Sequence, residues 1–241
     1  MAQTTFYVKV FHLSVFALNS FALCYDQMYV DLPFPSKDIA KLPLKARHLF
    51  LTVWCLVLQT LYFAVSFIND IYGTNSPAPK NPPIIRRLKD IMFSLSFPVA
   101  LYVSVVFWGI YAVNKDLIFP IEIESRVPQW MNHVMHTFIV PFIMIELFVT
   151  ERNYPSRRFG VNMIAIFITA YTLWILLVFR STGVWVYPFL GLLNWTMKFI
   201  FFVISTCVGL GIYVVGEKFN NLLSTNIQDY ASGINGHAKS R

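Results

Sequence analysis

A chain of 241 residues with 56% hydrophobic and only 13% charged side chains is not an ordinary soluble domain, since such domains carry about a quarter charged residues. The formal charge of +7 invites a nucleic-acid reading, but the basic residues fall in short stretches between apolar runs, as in loops that flank membrane spans. Cys24, Cys55 and Cys207 lie in or beside those runs with no Cys-x-x-Cys, which excludes a disulfide framework and the usual structural zinc site.

Six spans are predicted in chain order: Val10–Cys24, His48–Ile68, Ile91–Val113, Trp130–Val149, Phe159–Phe179 and Tyr187–Val215. Several reach the ~20 residues needed to cross a bilayer. The fold class is therefore all-α, a polytopic integral membrane protein with six transmembrane helices in one bundle and no second domain. The first run is short, and a signal-peptide core with a small-residue site near Ser20 and Ala22 is the alternative. A nearly uncharged start and the interruption at Asn19 favour a span. Pro77, Pro79, Pro82 and Pro83 predict an extended second loop. Ser125 is the predicted N-cap of the fourth helix, with Pro128 in its first turn. Asn194-Trp195-Thr196 matches a glycosylation pattern, but at a predicted helix start. The stretch 217–241 turns polar and predicts a frayed tail.

Orientation follows from Lys and Arg. Eleven fall on the side of both termini and seven on the other, with Lys198 inside the sixth span. This places the N- and C-termini in the cytosol, in a plasma membrane or endomembrane.

Polar residues inside the spans are the functional candidates, because hydrocarbon offers no water to satisfy them. Asn132 and His136 are four apart and share a helical face, with His133 close by. Thr52 lies four residues into the second span and His136 six into the fourth, so roughly 6 Å and 9 Å deep at ~1.5 Å per residue. Both spans start on the same side, and neighbouring helices would bring the two level. A threonine hydroxyl beside a neutral imidazole is a nucleophile with its base; the alternative is a threonine bonded back to its own helix. Cys55 is the rival nucleophile, but a thiol in apolar surroundings is inert. His133 and His136 form an H-x-x-H. The five histidines, His12, His48, His133, His136 and His237, are too few and too scattered for a di-iron site, so no metal is expected. There is no P-loop, GxGxxG or GxSxG either, and no cofactor is expected. Glu146 and Lys198 lie within spans, where snorkelling toward the nearer interface competes with a functional role.

Four stretches carry a resemblance: Asn114-Lys115-Asp116-Leu117-Ile118-Phe119-Pro120, Trp130-Met131-Asn132-His133-Val134-Met135-His136-Thr137, Tyr154-Pro155-Ser156-Arg157-Arg158 and Thr182-Gly183-Val184-Trp185-Val186-Tyr187-Pro188. With Ala46-Arg47 before Leu51-Thr52, and Gly216-Glu217 closing the last span, the chain resembles the family of the androgen-induced gene 1 and androgen-dependent TFPI-regulating proteins. The resemblance implies a six-span threonine hydrolase that cleaves fatty acid esters of hydroxy fatty acids. The family threonine falls on Thr52 and its histidine on His136. The implied partners are a lipid substrate and the bilayer, with no nucleic acid.

Such a substrate carries a free carboxylate, which needs a fixed cation in a low-dielectric cavity. Lys198 is the first candidate and Arg180 the second. Asn132 is the candidate for orienting His136. A different class of function remains, a transporter or regulatory membrane protein whose polar core is built from Asn132, His133, His136 and Lys198.

Overall fold

The computed structural model describes residues 6–33, 43–76, 79 and 81–239, with side chains as far as residue 224. Pro77, Lys37, Lys41, Lys80 and Arg241, used in the loop and charge readings, lie outside the described residues. Among the described residues there are six long helices: α1 (Phe6–Tyr29), α2 (Leu51–Tyr72), α3 (Ile84–Val113), α4 (Gln129–Val149), α5 (Arg157–Thr182) and α6 (Trp195–Lys239). Among the described residues there is no strand. All six helices are long and apolar enough to cross a membrane, α6 over Trp195–Ser224. The spans hold 21 to 30 residues, about 30–45 Å at the helical rise.

Several ends differ from the sequence prediction, each for a local reason. The third helix starts at Ile84 rather than Ile91, because Arg86, Lys89 and Asp90 in its first turns are internally paired. Arg86 Nε reaches Asp90 Oδ1 at 2.9 Å and Lys89 Nζ reaches Glu146 Oε1 at 3.1 Å. The predicted sixth span splits. Pro188–Leu192 is a short separate helix, and α6 begins only at Trp195, capped by Asn194 Oδ1 accepting from Met197 N at 2.8 Å. Ser125 is not the cap of α4; it closes the short helix Ile121–Glu124, and Pro128 occupies the N-cap position. Past Glu217, where the sequence predicted a frayed tail, the α6 backbone stays helical to Lys239.

Helix α3 is central and packs against α2, α4, α5 and α6, while α1 lies along α2. The core joins Tyr62 and Phe63 of α2, Phe93 and Phe97 of α3, and Ile143 of α4. A Cβ at Gly160 of α5 would sit 1.8 Å from Tyr213 Oη of α6. Only glycine permits that crossing.

At the end of the bundle that carries the termini, a buried polar network ties α1 to α4. His12 Nδ1 lies 2.5 Å from Asp70 Oδ2, and its Nε2 lies 2.6 Å from Glu146 Oε2. Tyr62 donates to Glu146 Oε1 at 2.7 Å, and Arg152 donates to the Glu146 carbonyl. His12, Lys89 and Glu146 are wholly buried. Glu146 therefore does not snorkel; it is the hub of an interhelical ion-pair network.

Candidate active site

Thr52 is the second residue of α2, and the segment before it is tightly held. Within Pro43–Leu49, Leu44, Lys45 and Ala46 all have positive φ (53°, 48° and 56°). Non-glycine residues avoid this region, at a cost of about 1–2 kcal/mol each. The surroundings hold the turn in place. Lys45 pairs with Asp31 at 2.7 Å, and Arg47 Nε pairs with Asp26 at 2.5 Å. Trp54 and Trp174 indoles donate to the His48 carbonyl at 2.8 and 3.1 Å. The Leu51 N–H, left over by the helix start, donates to Tyr171 Oη at 2.8 Å and Tyr187 Oη at 3.0 Å. Tyr171 in turn donates to the Leu49 carbonyl at 3.0 Å, so the proton between the two phenols, 2.8 Å apart, belongs to Tyr187. Burial pushes the Tyr187 phenol up to about 12, which keeps that proton in place.

His136 sits on a wide π-type turn, Val134–Phe138, inside α4. Such turns insert one extra residue per turn and occur at functional sites. Pro141, three residues past the turn, lacks an N–H, and its ring crowds the carbonyl of Thr137, so a regular helix cannot continue through it. Thr52 Oγ1 and His136 Nε2 meet at 3.1 Å. The other ring nitrogen, Nδ1, lies 2.8 Å from Asn132 Oδ1 and 3.1 Å from the Asn132 carbonyl. A backbone carbonyl can only accept, so Nδ1 carries the proton and Nε2 is left as the acceptor for the Thr52 hydroxyl. The ring is further fixed by stacking on Phe107, with centroids 3.5 Å apart and planes within 11°. Asn132, four residues before His136, is thus in place to set its tautomer.

Thr52, Asn132 and His136 line a cavity of about 170 Å³ whose walls are chiefly apolar side chains, among them Val103, Phe107 and Phe202. A second cavity of about 320 Å³ shares Leu32, Phe50 and Ile123 with it. The remaining candidates do not converge here. His133 bonds Thr137 Oγ1 at 3.0 Å, stacks near Trp108, and does not line the cavity. Among the described residues no group of three potential ligands could hold a metal ion. Because α6 begins at Trp195, Lys198 is one turn into the helix rather than deep within it. Its ammonium donates to the Leu193 carbonyl and sits over the Trp185 and Trp195 rings at 4.9 and 5.3 Å. Arg180 is exposed near the end of α5. Neither cation lines the cavity. The cation that does is Arg47, together with its partner Asp26. Sequence reasoning missed it because it stands outside a regular helix. The one sequence signal is indirect: Asp26 flanks the first apolar run, where a carboxylate requires a partner, but nothing in the sequence names Arg47 as that partner.

Residues 8–221 match the model of a family described as FAR-17a/AIG1-like protein. The human androgen-induced gene 1 protein is 36% identical over 181 residues, covering 72% of this chain and 76% of the relative. The human androgen-dependent TFPI-regulating protein is 34% identical over 177 residues, covering 73% and 76%. Its Mesocricetus auratus counterpart is 32% identical over 194 residues, covering 79% and 84%. No solved structure matches the chain.

Proposed function

This chain belongs to the FAR-17a/AIG1-like family of multi-span membrane proteins, and we propose that it is an intramembrane threonine hydrolase. Its substrates in this reading are fatty acid esters of hydroxy fatty acids. The observation that carries the reading is the 3.1 Å contact between Thr52 Oγ1 and His136 Nε2, with Nδ1 engaged by Asn132. A hydroxyl with its base, and the base with its orienting partner, are what acyl transfer requires.

In the first half-reaction Thr52 Oγ1 attacks the ester carbonyl and its proton passes to His136 Nε2. The tetrahedral adduct collapses, the hydroxy fatty acid leaves as an alcohol by taking that proton, and the acyl group remains on Thr52. Water then yields a proton to the same nitrogen and attacks the acyl-threonine, releasing the fatty acid and restoring the hydroxyl. Because Thr52 is in the first turn of α2, the positive end of that helix lies near the oxygen on which negative charge develops. The two adjoining apolar cavities suit a lipid with two chains.

The Lys and Arg surplus on the side of both termini supports a cytosolic N- and C-terminus in a plasma membrane or endomembrane. The Thr52 pair then lies nearer the non-cytosolic leaflet. The test of the reaction is turnover of a palmitoyl ester of a hydroxystearic acid by purified protein. Thr52→Ala and His136→Ala should each lower kcat by at least about a hundredfold, while His133→Ala keeps most of it. A His136→Ala protein with wild-type turnover would contradict the assignment.

A further inference from the structure

The Asp26–Arg47 pair has no part in the chemistry described so far, yet both residues line the same cavity as Thr52 and His136. Arg47 is 2% exposed. Its Nε donates to Asp26 Oδ2 at 2.5 Å and its Nη2 to the Val30 carbonyl at 2.7 Å. Its Nη1 is buried and has no hydrogen-bond partner among the described residues. A guanidinium presents five N–H groups in a fixed fork, and buried donors in folded proteins are almost always bonded. The fork is therefore half occupied, and the unfilled half belongs to a side chain in the cavity wall.

We propose that Arg47 is the substrate-anchoring residue, its free Nη1 edge taking the carboxylate of the hydroxy fatty acid. The proposal rests on the hydrolase reading of this cavity. A carboxylate is the acceptor that a charged, planar donor edge holds best. Asp26 already neutralises one charge, and a second carboxylate beside it requires further positive potential. The start of α2, whose first residue, Leu51, lies four residues past Arg47, supplies part of it. Lys45, whose ammonium lies 3.4 Å from the same Val30 carbonyl, is already neutralised by Asp31. The left-handed turn at Leu44–Ala46 leads directly into Arg47, so the chain accepts backbone strain where this side chain is placed. The anchor thus replaces Lys198 and Arg180, which the cavity does not reach.

The test is a binding measurement on the Thr52→Ala protein, which does not depend on turnover. The probes are the palmitoyl ester of a hydroxystearic acid and the methyl ester of that compound. The acid should bind about tenfold or more tightly than its methyl ester, and Arg47→Gln in the same background should abolish the difference. Asp26→Asn, which releases the guanidinium from its competitor, should tighten binding of the acid and leave the methyl ester alone. This second variant decides the matter if Arg47→Gln fails to fold. Equal binding of the two probes, or weaker binding of the acid by Asp26→Asn, would overturn the proposal. So would a preference that survives Arg47→Gln and is lost in Lys198→Met. Failure of the wild type to hydrolyse the ester would instead count against the hydrolase reading, leaving the binding comparison intact.

Discussion

At the scale of single residues, the reactivity of Thr52 depends on which nitrogen of His136 holds the proton. The Asn132 side-chain and backbone oxygens both face Nδ1, and this leaves the Nε2 lone pair for the hydroxyl. Asn132→Leu removes one of those acceptors and frees the ring to turn or change tautomer. It should lower kcat about tenfold to a hundredfold with little change in KM, as measured by steady-state turnover. An unaltered kcat would show that Phe107 stacking and the backbone carbonyl suffice. Thr52, Asn132 and His136 were legible in the sequence because polar residues are costly in an apolar run and because spacing fixes their shared face and depth. Arg47 was not legible, since its burial is created by a turn with three consecutive left-handed residues, which no periodicity announces. Lys198 was misplaced for the opposite reason. The apolar run from Tyr187 continues without a charge, and only the extended Leu193 and the Asn194 cap break it.

At the scale of elements, the six helices were readable from apolar length alone, while their ends were set by pairings that a charge count does not see. Arg86, Lys89 and Asp90 ride on α3 because Asp90 and Glu146 neutralise the two cations. The wide turn of α4 was likewise invisible as a span, although Pro141 marks where a regular helix must give way. Glu146 lies ten residues beyond His136, about 15 Å along the helix, and joins α4 to His12 of α1 and Lys89 of α3. Replacing one member of a fully buried ion pair strands the others, at a cost of about 3–5 kcal/mol. Glu146→Leu should therefore lower the unfolding temperature of detergent-solubilised protein sharply, while the folded fraction keeps its kcat. A thermal transition unchanged from wild type would contradict the assignment of this network as the tie between α1, α3 and α4.

For the whole molecule, the two ends of the bundle carry different loads, the Glu146 network at one and the Thr52–His136 pair at the other. Arg86, Lys89 and Arg152 are buried away from the membrane surface, as is Arg47 on the opposite side. Setting these aside, the count of Lys and Arg is eight against six, a thinner bias in the same direction. In sealed microsomes, whose outer face is cytosolic, Asn81→Cys should react with an impermeant maleimide, and Glu122→Cys should react only after detergent is added; the reverse pattern would invert the orientation. Covalent capture shows whether Thr52 is a nucleophile activated by His136. Purified protein is treated with a fluorophosphonate and the modified residue is located by mass spectrometry. A phosphonyl group should appear on Thr52 Oγ1, be absent from the Thr52→Ala protein and form far more slowly in His136→Ala. An adduct on another residue, or labelling that persists in Thr52→Ala, would contradict it.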